Sequence, residues 1–185
     1  MRAVVTGVPG VGKTTVMNIV AERSGYRIVN FGDLMLEIAR ERGLVSHRDE
    51  IRRLPMEVQR ALQMEAGERI GKMADVLVDT HMTIKTPFGY LPGLPEWVLK
   101  AISPGLLIII EASPEEILAR RVRDSTRMRE AEELRSIEEH QMVNRMAAFA
   151  YAALTGAFVL MVENREGRPE EAAERILEVL GYGGD

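Results

Sequence analysis

Residues 7–14, Gly-Val-Pro-Gly-Val-Gly-Lys-Thr, carry the pattern G-x-x-x-x-G-K-[ST] directly behind the apolar run Ala3-Val4-Val5, which reads as a buried parallel strand. Gly7, Gly10 and Gly12 let the backbone curl until several N–H groups face one anion, and the positive end of the following helix adds to the attraction. Lys13 can reach the outer phosphates of a nucleotide, and the Thr14 hydroxyl suits a nucleotide-bound Mg²⁺. Val8, Pro9, Val11 and Thr15 complete the expected phosphate-binding stretch. An empty glycine turn is the alternative, but motif, preceding strand and following helix agree on a nucleoside triphosphate.

A second cluster bears on whether that nucleotide is consumed or only sensed. Arg120, Arg121, Arg123, Arg127 and Arg129 fall within ten residues, offset by Asp124, and Arg135 follows. Such a run is usually a solvated helix face, and three of the five fit that description. Guanidinium groups this dense repel one another, however, and tolerate crowding best where a polyanion arrives. Arginine forks also stabilise charge on the equatorial oxygens of a transferring phosphoryl group, so consumption is the expectation.

Asp79 ends the apolar strand ADVLVD and is placed to hold Mg²⁺ directly or through water, with the capping of a turn as its alternative role. His81 reads as a polar loop residue, since no second His or Cys stands near it for a metal. A hydroxyl acceptor would want a carboxylate to take its proton, whereas a phosphate acceptor wants positive charge. Beyond Asp33 the chain offers arginines, which favours the phosphate. Residues 31–73 are long enough to form an acceptor-binding flap carrying Arg52 and Arg53, each of which has a plain surface role as its alternative.

These residues need a scaffold, and the chain supplies alternating strands and helices. Strand 2–6 leads to a helix from Lys13 to Arg23, then a short strand from Arg27 to Asn30 and a helix over FGDLMLEIARERG. An amphipathic run from Met56 to Lys72 precedes the strand ending at Asp79. Residues 82–95, rich in Pro, Gly, Thr and Tyr, read as a loop. GLLIIIEA is the most apolar strand and is expected centrally, and Ser113-Pro114-Glu115-Glu116 starts a helix. A long helix over about 131–153, the strand AFVLMV and a helix from Pro169 to Leu180 finish the chain. The alternation predicts an α/β fold, a five-stranded parallel sheet with helices on both faces, whose ligands lie at the carboxyl ends of the strands.

Composition narrows the class. The 185 residues suit a single domain, and 46% hydrophobic content is ample for a core. A net charge of −4 gives no global reason to expect nucleic acid or an anionic membrane. Cysteine is absent, which removes disulfides and thiolate metal sites and fits a reducing cytoplasm. Neither a signal peptide nor a membrane-spanning stretch is legible, so a soluble cytoplasmic protein is expected.

TGVPGVGKTT, NFGDLM, VDTHMTIKTPFGYLPGLP, RRVRDSTRMRE and HQMVNR together resemble the archaeal-type adenylate kinases over nearly the whole chain. The resemblance implies Mg²⁺-dependent interconversion of ATP plus AMP with two ADP, a P-loop domain, an AMP-binding flap over about 31–73, a short lid over about 121–130 and a homotrimer. It places Gly32-Asp33 beside AMP and the lid arginines at Arg120 or Arg121, Arg127 and Arg135, with His140-Gln141 setting the register. Lys13 and these arginines are the expected catalytic groups. The chain departs from the bacterial and eukaryotic branches in two places: Leu36 stands where those have an arginine for the AMP phosphate, and Asp79-Thr80-His81 replaces their D-G-F-P-R-T. Arg53 is therefore the first candidate for the acceptor phosphate, with Lys85, Tyr90 and the backbone of residues 89–93 behind it. The loop VENREGRP is expected near the adenine ring. Rival readings are a nuclear adenylate kinase-like ATPase, a shikimate-type small-molecule kinase and a regulatory nucleotide switch.

Overall fold

Five parallel strands in the order β2-β3-β1-β6-β7 form the central sheet. A computed structural model of the chain describes residues 1–121 and 127–183, and the side chains of all of these but 127–132. The strands are β1 (Arg2–Thr6), β2 (Arg27–Asn30), β3 (Val76–Asp79), β6 (Leu106–Glu111) and β7 (Phe158–Glu163). β1 lies in the middle, between β3 and β6, so the order turns both ways from the strand that feeds the glycine loop. A crevice opens at such a switch point, at the carboxyl ends of the strands.

Both faces of the sheet are covered, which is why its strands read as unbroken apolar runs. Val5, Ile108 and Ile110 pack with α1 (Lys13–Ser24) and α8 (Pro169–Leu180) through Val16, Val20, Ile176 and Leu177. On the other face Val4, Leu107 and Ile109 meet α2 (Phe31–Glu41), α4 (Met56–Gly71), α5 (Glu96–Ile102) and α7 (Arg127–Thr155). Adjacent residues of each strand thus serve opposite cores, the period of two that a pleated strand imposes. β6 is buried along its whole length; it is an interior strand, with β1 holding the middle.

Helix ends follow their local chemistry. Asn30 caps α2, and the Ser113 hydroxyl accepts from Glu116 N–H at 3.2 Å while Glu116 returns to Ser113, a capping box at the start of α6 (Pro114–Arg121). The short α3 (Arg48–Ile51) starts where Glu50 accepts from Ser46 and His47 N–H.

Two expectations are corrected. Residues 82–95 are not a plain loop: β4 (Thr83–Thr86) and β5 (Gly89–Pro92) form an antiparallel hairpin. Its turn is closed by Thr86 Oγ1, which accepts from Phe88 N–H at 3.2 Å and donates to Gly89 O at 2.8 Å. Gly89 sits at φ 121°, a conformation open to glycine. The long helix starts at Arg127, four residues earlier than its sequence pattern indicates, and ends at Thr155.

Candidate active site

The glycine loop between β1 and α1 is held from outside. Val8 and Val11 are buried anchors, and Gly10 and Gly12 take φ near +88° and +87°, a left-handed curl that L side chains resist. Three side chains then pull loop carbonyls outward. Arg120 donates from Nη1 to Val11 O at 3.1 Å, Asn164 from Nδ2 to the same oxygen at 2.8 Å, and Arg121 from Nε to Pro9 O at 2.7 Å. Val11 N–H closes the loop on Val8 O at 3.2 Å, and with the carbonyls turned out other loop N–H groups can face an anion in the concavity.

The Lys13 ammonium lies in that concavity, ion-paired with Asp79 Oδ1, and donates to Thr80 O at 3.3 Å. The parallel register sets Asp79 beside Val5 on one side and Asn30 on the other. Asp79 Oδ2 accepts from Asn30 Nδ2 at 3.0 Å, whereas its buried Oδ1 meets only the lysine, as an ion pair rather than a directed hydrogen bond. Thr14 and Thr15 stand exposed at the start of α1. One carboxylate and one free hydroxyl fit a Mg²⁺ that takes its other ligands from phosphate oxygens and water.

The predicted site residues divide. Arg120 joins the loop, but its guanidinium is engaged by Val11 O, Asn164 O and Glu166, the last at 2.6 Å. Arg121 lies beside it, so both arginines touch the loop. Arg135 is exposed on α7, with no ion pair among the described residues. The side chain of Arg127 lies outside the described residues, as do residues 122–126 of the expected lid. In the segment expected near the adenine ring, Asn164 binds Val11 O, and Glu166 N–H donates to Glu116 at 2.7 Å.

Gly32 and Asp33, the expected acceptor residues, occupy the first turn of α2. Arg53 lines a surface concavity with Arg40, Ser46 and Glu50 that does not include Gly32 or Asp33. Arg48 stands beside them instead, donating to Asp33 Oδ1 at 3.0 Å with its guanidinium over Gly32, and its charge is felt at His81. Sequence reading missed it because α3, which aims it, is only four residues long.

Between the loop and the hairpin lies a cavity of about 510 Å³ lined by Pro9, His81, Lys85, Arg121, Ser136 and His140, among others. Lys85 donates to Ser136 Oγ at 2.8 Å and lies 5.6 Å from the centre of the Tyr90 ring. Tyr90 turns its hydroxyl inward, where burial and then the Glu139 carboxylate push its pKa up to about 12. Desolvation, followed by the Lys13 charge, lowers the pKa of His81, although the residue is exposed at the surface; burial, then Lys85 and Arg121, lower that of His140 against the opposing Thr83 carbonyl. Both imidazoles are therefore biased to the neutral form.

The motif HQMVNR proves to be a clasp. From α7, His140 Nε2 meets Thr83 O at 3.4 Å, and Gln141 grips both the N–H and the C=O of Ala112. Asn144 accepts from Thr83 Oγ1 at 2.6 Å, and Arg145 makes a bidentate pair with the buried Glu111, both contacts 2.7 Å. The hairpin and the end of β6 are thus tied to one helix.

Residues 6–138 match the family described as AAA domain. The adenylate kinase of Thermoplasma volcanium is 57% identical over 180 residues, covering 97% of this chain and 99% of the relative. That of Methanopyrus kandleri is 57% identical over 183 residues, with 96% of each chain covered, and that of Pyrococcus furiosus 48% identical, with 96% and 93% covered. Among solved structures, shikimate kinase from Bacteroides thetaiotaomicron aligns with a TM-score of 0.56 at 16% identity, covering 98% of both chains. Shikimate kinase from Acinetobacter baumannii aligns at 0.58 and 19%, covering 97% and 92%. At those identities the likeness is one of fold.

Proposed function

The chain belongs to the adenylate kinase family, and on that premise we propose how its residues share the reversible transfer of a phosphoryl group from ATP to AMP, giving two ADP. The observation that carries the assignment of roles is the Lys13–Asp79 ion pair at the mouth of the glycine loop. Arriving phosphates draw Lys13 from Asp79, and the freed Asp79 carboxylate and the Thr14 hydroxyl are the groups that would hold a nucleotide-bound Mg²⁺. Mg²⁺ supplies charge neutralisation at the phosphate oxygens when bound. Loop N–H groups between Gly10 and Thr15, other than that of Val11, cradle the donor phosphates, with Arg120 and Asn164 keeping the loop in shape.

AMP seats at Gly32-Asp33, with Arg48 rather than Arg53 at its side and Lys85 and Tyr90 on the facing hairpin. A phosphate acceptor needs cations more than a base, which fits this wall of arginine, lysine and neutral histidine. Arg127 and Arg135 are carried over by family resemblance as the groups that close on the transferring phosphoryl. Residues 31–73 serve as the acceptor flap and about 121–130 as the lid of a single domain.

Among the described residues no helix is long and apolar enough to cross a membrane; a cytoplasmic location is part of the proposal. So is a homotrimer. Met142, Met146 and Phe149 lie exposed along one face of α7. Phe158 and Met161 are exposed on the edge strand β7. Exposed apolar side chains on α7 and an open strand edge support self-association.

The test is ADP formation from ATP and Mg²⁺ with AMP, CMP, UMP or shikimate as acceptor. Two ADP per ATP, dependent on AMP, is the expected result. Slow ADP release indifferent to every acceptor would overturn the reading in favour of an ATPase or a switch.

A further inference from the structure

Asn30 stands where β2 passes into α2 and uses both ends of its amide. Oδ1 accepts from Asp33 N–H at 3.0 Å, and Nδ2 donates to Asp79 Oδ2 at 3.0 Å. Chemistry fixes that orientation: only the oxygen can accept from an N–H, and only the NH₂ can donate to a carboxylate. The strand register supplies the reach, since Asn30 and Asp79 are direct neighbours across β2 and β3. Asp79 in turn holds Lys13 by its other oxygen. One side chain therefore links the first turn of the acceptor helix, the carboxylate and, through it, the phosphate-loop lysine.

We propose that Asn30 is a positioning residue for Asp79, pinning Oδ2 so that Oδ1 faces Lys13 and the incoming phosphates, and that it couples the seating of the acceptor on α2 to the setting of that carboxylate. The inference rests on the reading of Asp79 as the group facing the Mg²⁺-nucleotide. A cap alone does not call for an amide, because Ser, Asp and Asn cap helices about equally well. The amide is needed for the second bond.

That difference makes the test. Asn30→Asp keeps the cap, removes the donor and sets a second carboxylate against Asp79, a like-charge pair. Asn30→Ser keeps the cap and removes the amide NH₂ without adding charge, its shorter hydroxyl being taken up by the cap. For each variant and the wild type, Tm is read by calorimetry and ATP affinity by titration calorimetry, in Mg²⁺ and separately in EDTA. kcat and the KM for AMP come from steady-state assays.

Tm is expected within a few degrees of wild type for both. In Asn30→Asp, metal-free ATP binding falls about tenfold or more, and Mg²⁺ restores most of it, because the cation offsets the added charge. In Asn30→Ser, metal-free binding changes little, while kcat falls about tenfold and the KM for AMP rises. Wild-type kcat and an unchanged ratio of affinities with and without Mg²⁺ in Asn30→Asp would overturn the proposal and leave Asn30 a cap. So would a large Tm loss in both variants with nucleotide affinity intact. The affinity ratio is measured without AMP, so a wild type that ignored AMP would sink the functional reading and leave this result to be judged separately.

Discussion

Lys13 has two claimants, the Asp79 carboxylate and the phosphates of a nucleotide, and its position between them is the most informative residue-level fact in the molecule. An ammonium held on a neighbouring carboxylate is already desolvated and aimed, so little reorganisation is needed when the phosphates arrive. Lys13→Met is expected to lower kcat about 100- to 1000-fold with far-ultraviolet circular dichroism unchanged. Unaltered turnover in that variant would remove the core of the assignment. Arg120 has a different task. With its guanidinium on Val11 O, Asn164 O and Glu166, it shapes the loop, and Arg120→Ala is expected to raise the KM for ATP more than it lowers kcat. A pure kcat loss in steady-state assays would instead assign it to the transferring group.

At the scale of elements, α7 is the piece on which the site is hung. Its clasp residues reach the hairpin at Thr83 and the end of β6 at Ala112 and Glu111. Arg145→Ala leaves Glu111 buried and without its bidentate partner, and a loss on the order of 1–3 kcal/mol is expected in urea unfolding. A difference below experimental error would show the pair to be ornamental. Gly89→Ala probes the hairpin: a φ of 121° is costly for any residue with a Cβ, about 1–3 kcal/mol. Because Lys85 rides on β4, the same change should raise the KM for AMP. An unchanged KM would separate the hairpin from the acceptor.

Over the whole molecule, charge and surface set the response to conditions. His140 is held below its ordinary pKa of 6.5 by burial and by Lys85 and Arg121, with Thr83 O and Glu139 opposing. In acid, the unfolded chain thus binds a proton that the folded chain resists. Stability is full above about pH 6.5 and falls as pH drops through the lower folded value. Replacing His140 with Gln is expected to flatten the fall in Tm between about pH 7 and about pH 5, a range that brackets the ordinary histidine pKa; an equally steep fall would place the acid sensitivity elsewhere. For assembly, Phe158→Glu puts a charge on the exposed apolar edge of β7. It is expected to shift the mass seen by light scattering from that of the proposed trimer to that of a monomer with activity retained, and an unchanged mass would move the contact to another face.

The sequence by itself determined the parts of this protein whose chemistry is local. The glycine loop, its lysine and threonine, the capping box at Ser113 and the alternation of strand and helix all lie within a few residues of one another, so spacing alone encodes them. The hairpin was hidden because Pro, Gly and Thr mark turns whether or not flanking strands form, and β4 and β5 pair only with each other. Arg48 rather than Arg53 beside Asp33, Asn30 on Asp79, Arg120 on the loop carbonyls and the clasp of HQMVNR were decided by the tertiary structure. Each joins residues brought together by sheet register or by helix packing, and a one-dimensional pattern carries neither. The site is therefore named by a short motif and built by contacts spanning up to 153 positions of chain, the separation of Val11 from Asn164.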